Sequence, residues 1–435
     1  VVIESGELPP LTAAAGRRER VTLPYRQPEL LPGCDYRLNL HFALAAATPW
    51  ADAGHEIAWA QFALPWTLPA PAPTPVAELP ALTLAESAGH VLVTGPDFSL
   101  RFDGERGRIA AWQAGDHDLL ERGPGLNFWR APTDNDANTW GDQRAAIRWR
   151  QAGLDQLVEH VDGVDVRQPR PQEVVISVRT ATMADAEDDG LRARRTASLI
   201  DGVKMMLVHR VDEEQGRTLA AALGFNYTDL AGNDYRDKAA TLVDVLAATE
   251  RIPALLDLMT AALDGPLGGD LLDEAKAGLR AQFDELRDAL QGATGPVAAA
   301  RFDAETTYHI YGNGEILIDT HILPSGAQPP MLPRIGFSLA LPGAHETLTW
   351  YGRGPHESYA DRKLSTPMGR YSGHVDEQRY PYIMPQESGN KSDVRWAALT
   401  DARGVGLLVT GDSDLNVSVA RYTAEDLTAA QHTYG

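Results

Sequence analysis

The feature that most constrains this chain is a change of hydrophobic period partway along it. Residues 36–44 alternate strictly, with Tyr36, Leu38, Leu40, Phe42 and Leu44 on one face and Arg37, Asn39 and His41 on the other, the pattern of a half-buried strand. Residues 57–64, 98–103, 108–112, 174–182 and 308–321 also read as strands. The tight turn Gly104-Glu105-Arg106-Gly107 joins two of them, and Gly312-Asn313-Gly314 reads as a hairpin turn, because Asn-Gly tolerates the positive φ that such turns require.

From residue 199 to 292 the period becomes helical. Leu242, Val245 and Leu246 recur at helix spacing, then Leu255, Leu256, Leu258, Met259 and Leu263, then Leu272, Ala275, Leu279, Phe283, Leu286 and Leu290. Pro253 suits a first helical turn, and Asp270 with Asp273 and Glu274 suits another helix start. Glycines 265, 268, 269, 292 and 295 punctuate the ends. The implied architecture is mostly β, interrupted by an all-α module inserted in a surface connection between two strands.

Four segments follow from this reading. Residues 1–68 are expected to form a small antiparallel sandwich. Residues 69–84, with Pro69, Pro71, Pro73, Pro75 and Pro80, form a stiff extended linker. Residues 85–195 and 299–435 form the β host, and 196–298 the helical insertion. A length of 435 residues suits roughly two to four domains, and 43% hydrophobic content supplies a core for each.

Charge and cysteine content exclude several functions. Sixty acidic residues against 39 Lys and Arg give a net charge of −21, which repels nucleic acid. Cys34 is the one cysteine, so no internal disulfide and no thiolate zinc cluster can form. That fits the cytoplasm. No apolar run approaches the roughly 20 residues that span a bilayer, so no membrane partner is expected. The chain opens at Val1, in a strand-like phrase rather than with Met, and reads as a piece of a longer polypeptide.

Few chemical motifs stand alone. The His-Glu pairs at His55, His345 and His356 lack a second His at zinc-ligand spacing. No GxSxG elbow occurs, and Gly352-Arg353-Gly354 lacks the rest of a dinucleotide loop. What remains are dense polar and aromatic phrases: Phe128-Trp129-Arg130-Ala131-Pro132-Thr133-Asp134-Asn135-Asp136, Pro333-Arg334-Ile335-Gly336, residues 350–362 around His356-Glu357-Ser358-Tyr359, and Pro385-Gln386-Glu387-Ser388-Gly389-Asn390.

In this order the phrases resemble the small-chain region of the large bacterial β-galactosidases of glycoside hydrolase family 2. Ser5-Gly6-Glu7-Leu8-Pro9 and residues 50–59 resemble the sandwich domain that precedes it. The resemblance covers residues 1–190 and 299–435. It implies an immunoglobulin-like sandwich and a galactose-mutarotase-like β-supersandwich, in an enzyme that hydrolyses terminal β-galactosides with retention. It also places both catalytic carboxyls, and the enzyme's Mg2+ and Na+ sites, on a barrel domain upstream of the matched region. No catalytic residue, metal ligand or cofactor is therefore expected here, and the implied partners are that barrel domain, in the same or a separate chain, and the galactoside.

Within the resemblance, a loop at residues 137–146 touches the active site of the whole enzyme, and so does a Trp near the C-terminus. The latter has no counterpart here: the chain stops at Gly435, ahead of the family's last strands, which would leave a sheet edge exposed. The substrate-proximal candidates are Trp129, Arg130, Asp134, Asn135, Asp136, Arg334, Glu357 and Glu387. Each has a plainer alternative: Trp129 and Arg130 as packing beneath the loop, residues 134–136 as turn formers, and Arg334, Glu357 and Glu387 as structural ion pairs. Residues 223–232, with 238–243 and 251–256, are similar to small helical effector-associated domains of death-domain-like shape. That implies a protein-binding surface on the insertion, the alternative being a spacer or oligomer contact.

Overall fold

The computed structural model describes residues 1–137, 145–184, 189–265, 273–292, 300–326 and 331–430. Most of the regular structure is antiparallel sheet. Strands β1 (Arg37–Ala43) and β2 (Glu56–Ala63) pair from Arg37↔Ala63 onward. Residues 1–36 contain no strand, and β1 and β2 are the strands of residues 1–68. Trp66 packs against Tyr25 and Tyr36, while Phe42, Ile57 and Phe62 stay exposed.

The segment after β2 has one short helical turn at Val76–Glu78 before it joins the host. Leu82 is buried and its N–H donates to the Pro171 carbonyl at 2.6 Å. The Pro80 carbonyl lies where a Cβ on Gly312 would sit, 1.8 Å away.

The host is a two-sheet sandwich. One sheet is a meander of β3 (Thr83–Ser87), β4 (His90–Thr94), β5 (Phe98–Asp103), β6 (Arg108–Ala114) and β7 (His117–Asp118). Strand β8 (Arg122–Asn127) and helices α1 (Asp134–Ala137) and α2 (Ala145–Gln151) then lead to β9 (Leu157–Arg170) and β10 (Glu173–Ala184). These two, with β11 (Ala300–Tyr311) and β12 (Ile316–Gly326), make the second sheet, in the order β12-β11-β10-β9. Phe98, Leu100 and Phe102 point from β5 into a core completed by Val174, Ile176 and Val178 of β10 and Tyr308 and Ile310 of β11. At the β5–β6 turn Asp103 Oδ1 accepts from the Glu105 and Arg106 amides, and Gly107 takes φ +63.

The β11–β12 turn falls where the sequence puts it, with a different conformation. Of its residues Gly314 alone has a positive φ, +84. The Gly314 amide donates to Tyr311 O and the Tyr311 amide to Glu315 O, both at 2.9 Å, as in a three-residue loop whose last residue is left-handed. Gly312 is required instead by the approach of Pro80.

Between β10 and β11 stand helices α3 (Asp189–Arg210), α4 (Glu213–Ala222), α5 (Tyr235–Ala248), α6 (Ile252–Ala262) and α7 (Asp273–Gly292). A capping box of Asp212 and Gln215 starts α4, Asp234 caps α5, and Pro253 occupies the first turn of α6. These helices close a core of their own around Leu207, Leu242, Leu246, Leu255, Met259 and Phe283. Met183 pairs directly with Arg301, so both ends of the insertion emerge from adjacent positions of one unbroken ladder.

The C-terminal part adds β13 (Gly336–Ala340) on β8, then a sheet of β14 (Thr347–Arg353), β15 (Met368–His374), β16 (Lys391–Thr400) and β17 (Gly406–Val417), and helix α8 (Ala424–Ala429). Gln61 fastens the β1–β2 pair to this sheet: its amide donates to Met368 O at 2.8 Å and accepts from Met368 N at 2.9 Å.

Candidate functional site

Two loops that the sequence keeps far apart meet beside the sandwich. The first follows β8. Phe128 stacks on Phe302 of β11, centroids 4.0 Å apart, and fixes the start of the loop. Trp129 is buried edge-on against Trp149 of α2, and its indole N–H donates to Thr428 Oγ1 at 3.2 Å. Arg130 lies over the Trp149 ring at 5.1 Å and grips Asp136 with both terminal nitrogens, at 2.8 and 3.1 Å. Asp136 Oδ2 also accepts the Thr133 amide at 2.8 Å and hydroxyl at 2.9 Å. The carboxylate thereby ends the turn and neutralises the guanidinium at once.

The second loop carries Gln386 and Glu387. Gln386 Oε1 accepts the Asp134 amide and its Nε2 donates to Asp134 Oδ2, both at 3.1 Å. This reciprocal pair stitches the two loops together. Glu387 is buried and takes a 2.6 Å contact from Arg334. Burial pushes its carboxyl above the usual carboxylate range, opposed by the positive charges of Arg334 and Arg130. Glu357, also buried, accepts from Arg362 at 2.6 Å, from the Gly389 amide at 2.8 Å, and from the Tyr382 hydroxyl. Burial likewise raises Tyr359, with the negative charges of Glu387 and Glu357 adding to it.

Behind these groups Ser358, Asn390 and Ser392 form a buried net: Ser358 O accepts from Asn390 Nδ2 at 2.7 Å and from Ser392 Oγ at 3.0 Å, and Ser358 Oγ accepts the Ser392 amide at 2.9 Å. Lys391, only 1% exposed, sets its ammonium 5.2 Å from the Trp350 ring centroid. Burial pushes its pKa down to about 8, against the pull of Glu357.

The structure thus gathers Trp129, Arg130, Asp134, Asp136, Arg334, Glu357 and Glu387 into one connected region, with Asn135 exposed at its margin. Of the loop expected at 137–146, residues 138–144 lie outside the described residues. Gln386, Arg362, Tyr382 and Lys391 belong to the same network and were not among the candidates. Gln386 and Arg362 stand inside phrases the sequence marks, and Lys391 directly follows one; nothing local marks Tyr382.

Among the described residues no three His, Cys, Asp or Glu side chains are grouped as metal ligands are. No helix among them is long and apolar enough to cross a membrane.

Comparison with known proteins places this region. The model of the β-galactosidase small chain matches residues 94–219 and 274–435. The chain belongs to the β-galactosidase small-chain family. Residues 1–65 match domain 4 of β-galactosidase, so two family segments follow one another as the loop phrases imply. A β-galactosidase of Priestia megaterium is 29% identical over 400 residues, covering 92% of this chain and 27% of the relative. One of Psychromonas ingrahamii is 26% identical over 440 residues, 99% of this chain and 31% of the relative. One of Vibrio cholerae is 39% identical over 126 residues, 29% of this chain and 12% of the relative. The chain therefore spans less than a third of the length of these relatives. Residues 220–273, which include α5 and α6, fall between the two matched stretches.

Proposed function

We propose that this chain is the non-catalytic C-terminal region of a cytoplasmic β-galactosidase, bracing a catalytic barrel domain and shaping the mouth of its galactoside pocket. The carrying observation is the two-loop network. Asp136, Glu387 and Glu357 each face a guanidinium, from Arg130, Arg334 and Arg362 respectively. Charge-assisted pairs of this kind hold the loops that carry them in a fixed arrangement. In this reading Trp129, Arg130 and the 134–136 turn hold the approach to the pocket, while the acid/base and nucleophile that retention requires come from the barrel.

The deciding experiment is hydrolysis of a chromogenic β-galactoside by this chain alone and after mixing with a separately expressed barrel-containing fragment. Activity only on mixing is the expected result. Activity of the chain alone overturns the assignment of catalysis to the barrel, and silence in both arms removes the bracing role.

A second reading, a protein-interaction role for the insertion, is favoured by its self-contained core and by the position of residues 220–273 outside the family match. Capture of a protein partner that requires residues 220–273, with no sugar binding by the chain, is its signature.

A further inference from the structure

The second sandwich sheet has two unlike margins. Strand β9 is guarded: its register with β10 slips twice, and it carries Glu159, Asp162, Asp165 and Arg167 among other charges. Bulges and charges are the ordinary means of blunting an edge. Strand β12 has no register shift over residues 316–323 and far fewer charges. It pairs with β11 from Ile316 to Gly326 without a shift, Asp319 is its one acidic group, and among the described residues no strand pairs with its outer side. Leu317 and Leu323 stand 48% and 57% exposed. Pro324 is the first residue without an N–H to offer.

This unguarded stretch reads almost the same in both directions: Ile316-Leu317-Ile318-Asp319-Thr320-His321-Ile322-Leu323. About Thr320, Ile318 mirrors Ile322, Leu317 mirrors Leu323, and Asp319 mirrors His321. Residues directly opposite in an antiparallel pair share a face. Centred on Thr320, two copies would set Leu317 against Leu323 and Asp319 against His321 on the outward face, with Ile318 against Ile322 on the core side. The faces are already sorted, since 317, 319, 321 and 323 are exposed while 316, 318, 320 and 322 are half-buried. A slip of two residues one way opposes Asp319 to its own copy, and the other way opposes it to Leu323. A slip of one puts the outward face of one copy on the core side of the other. The centred register pairs 317–323 with itself so that Leu meets Leu, Ile meets Ile and Asp meets His, with Ile316 falling opposite Pro324.

We propose that two copies of this chain associate edge to edge along β12, antiparallel about Thr320, joining their four-stranded sheets into one continuous sheet. The interface is independent of the galactosidase reading and needs no other partner.

The test is register-specific cross-linking of the full chain with Cys34→Ser, which removes the native, exposed thiol. Leu317→Cys and Leu323→Cys chains are oxidised separately and as a mixture. The mixture forms a disulfide-linked dimer. Neither chain alone does, because two copies of residue 317 lie about 20 Å apart in this register, beyond disulfide reach. Sedimentation of the parent chain shows a concentration-dependent dimer, and Leu317→Lys weakens it by about tenfold or more with an unchanged unfolding profile. A parent chain that stays monomeric to its solubility limit, single variants that cross-link as readily as the mixture, or a dimer indifferent to Leu317→Lys would each overturn the proposal.

Discussion

The helical insertion and the β host solve the burial problem in opposite ways. The insertion closes its core from consecutive helices, Leu207 to Phe283, so its contacts are local. The host joins β10 to β11 across the whole insertion, so its second sheet forms only when distant segments meet. Loop-closure entropy grows slowly with length, and an insertion whose ends emerge at neighbouring sheet positions adds little strain. A folded module can therefore occupy a hairpin connection without distorting the ladder, and the two cores are expected to unfold separately.

The largest test of that contrast is a pair of core truncations. Phe283→Ala in α7 and Phe102→Ala in β5 each remove a fully buried ring and are expected to cost about 3–5 kcal/mol. Each should lower one of two calorimetric transitions and spare the other; a single transition that moves with both variants would show one cooperative unit.

The loop network should report with the host. Asp136→Ala strands the partly buried Arg130 guanidinium and is expected to destabilise by about 2–3 kcal/mol, read as a fall in the host transition by chemical denaturation. Lys391 sharpens the comparison by pH. Its folded-state pKa of about 8 lies below that of an unfolded lysine, so the unfolded chain binds more protons between these values. The cost of burying the charge is fully present below pH 8, and host stability should rise as pH climbs from 8 toward about 10.4. Lys391→Met should flatten that rise in urea midpoints while the insertion keeps its own profile. The smallest effect belongs to the exposed pair of Arg217 with Glu213 on α4: Arg217→Ala should cost about 0.3–0.5 kcal/mol, confined to the insertion transition and diminished by salt.

Much of this division was legible from periodicity. The alternation over 98–103 matches β5 residue for residue, and the helical spacing of Leu242, Leu246, Leu255 and Met259 marks the side chains that meet in the insertion core. The misses share a cause. The start of β11 alternates Ala300, Phe302, Ala304 and Thr306 inward, where small and polar side chains hide the period. The first turns of α3, residues 189–198, are mostly polar or small.

The candidate site was legible as phrases and not as a network. Trp129, Arg130 and Asp136 are near neighbours in sequence, and their turn could be read locally. That Gln386 clasps Asp134, that Tyr382 and Arg362 share Glu357, and that Lys391 is buried over Trp350 depend on segments hundreds or tens of residues apart.

The sequence by itself determined the β host, the helical interruption, the hairpin position at 312–314 and the family, because period, turn chemistry and motif order are local properties. Tertiary structure alone decided that Arg334 meets Glu387, that Gly312 answers to Pro80 rather than to its own φ, and that β12 rather than β9 presents an open edge. Pairings between distant segments are fixed by packing and by the satisfaction of buried charge, and these exist only once the sheets have closed.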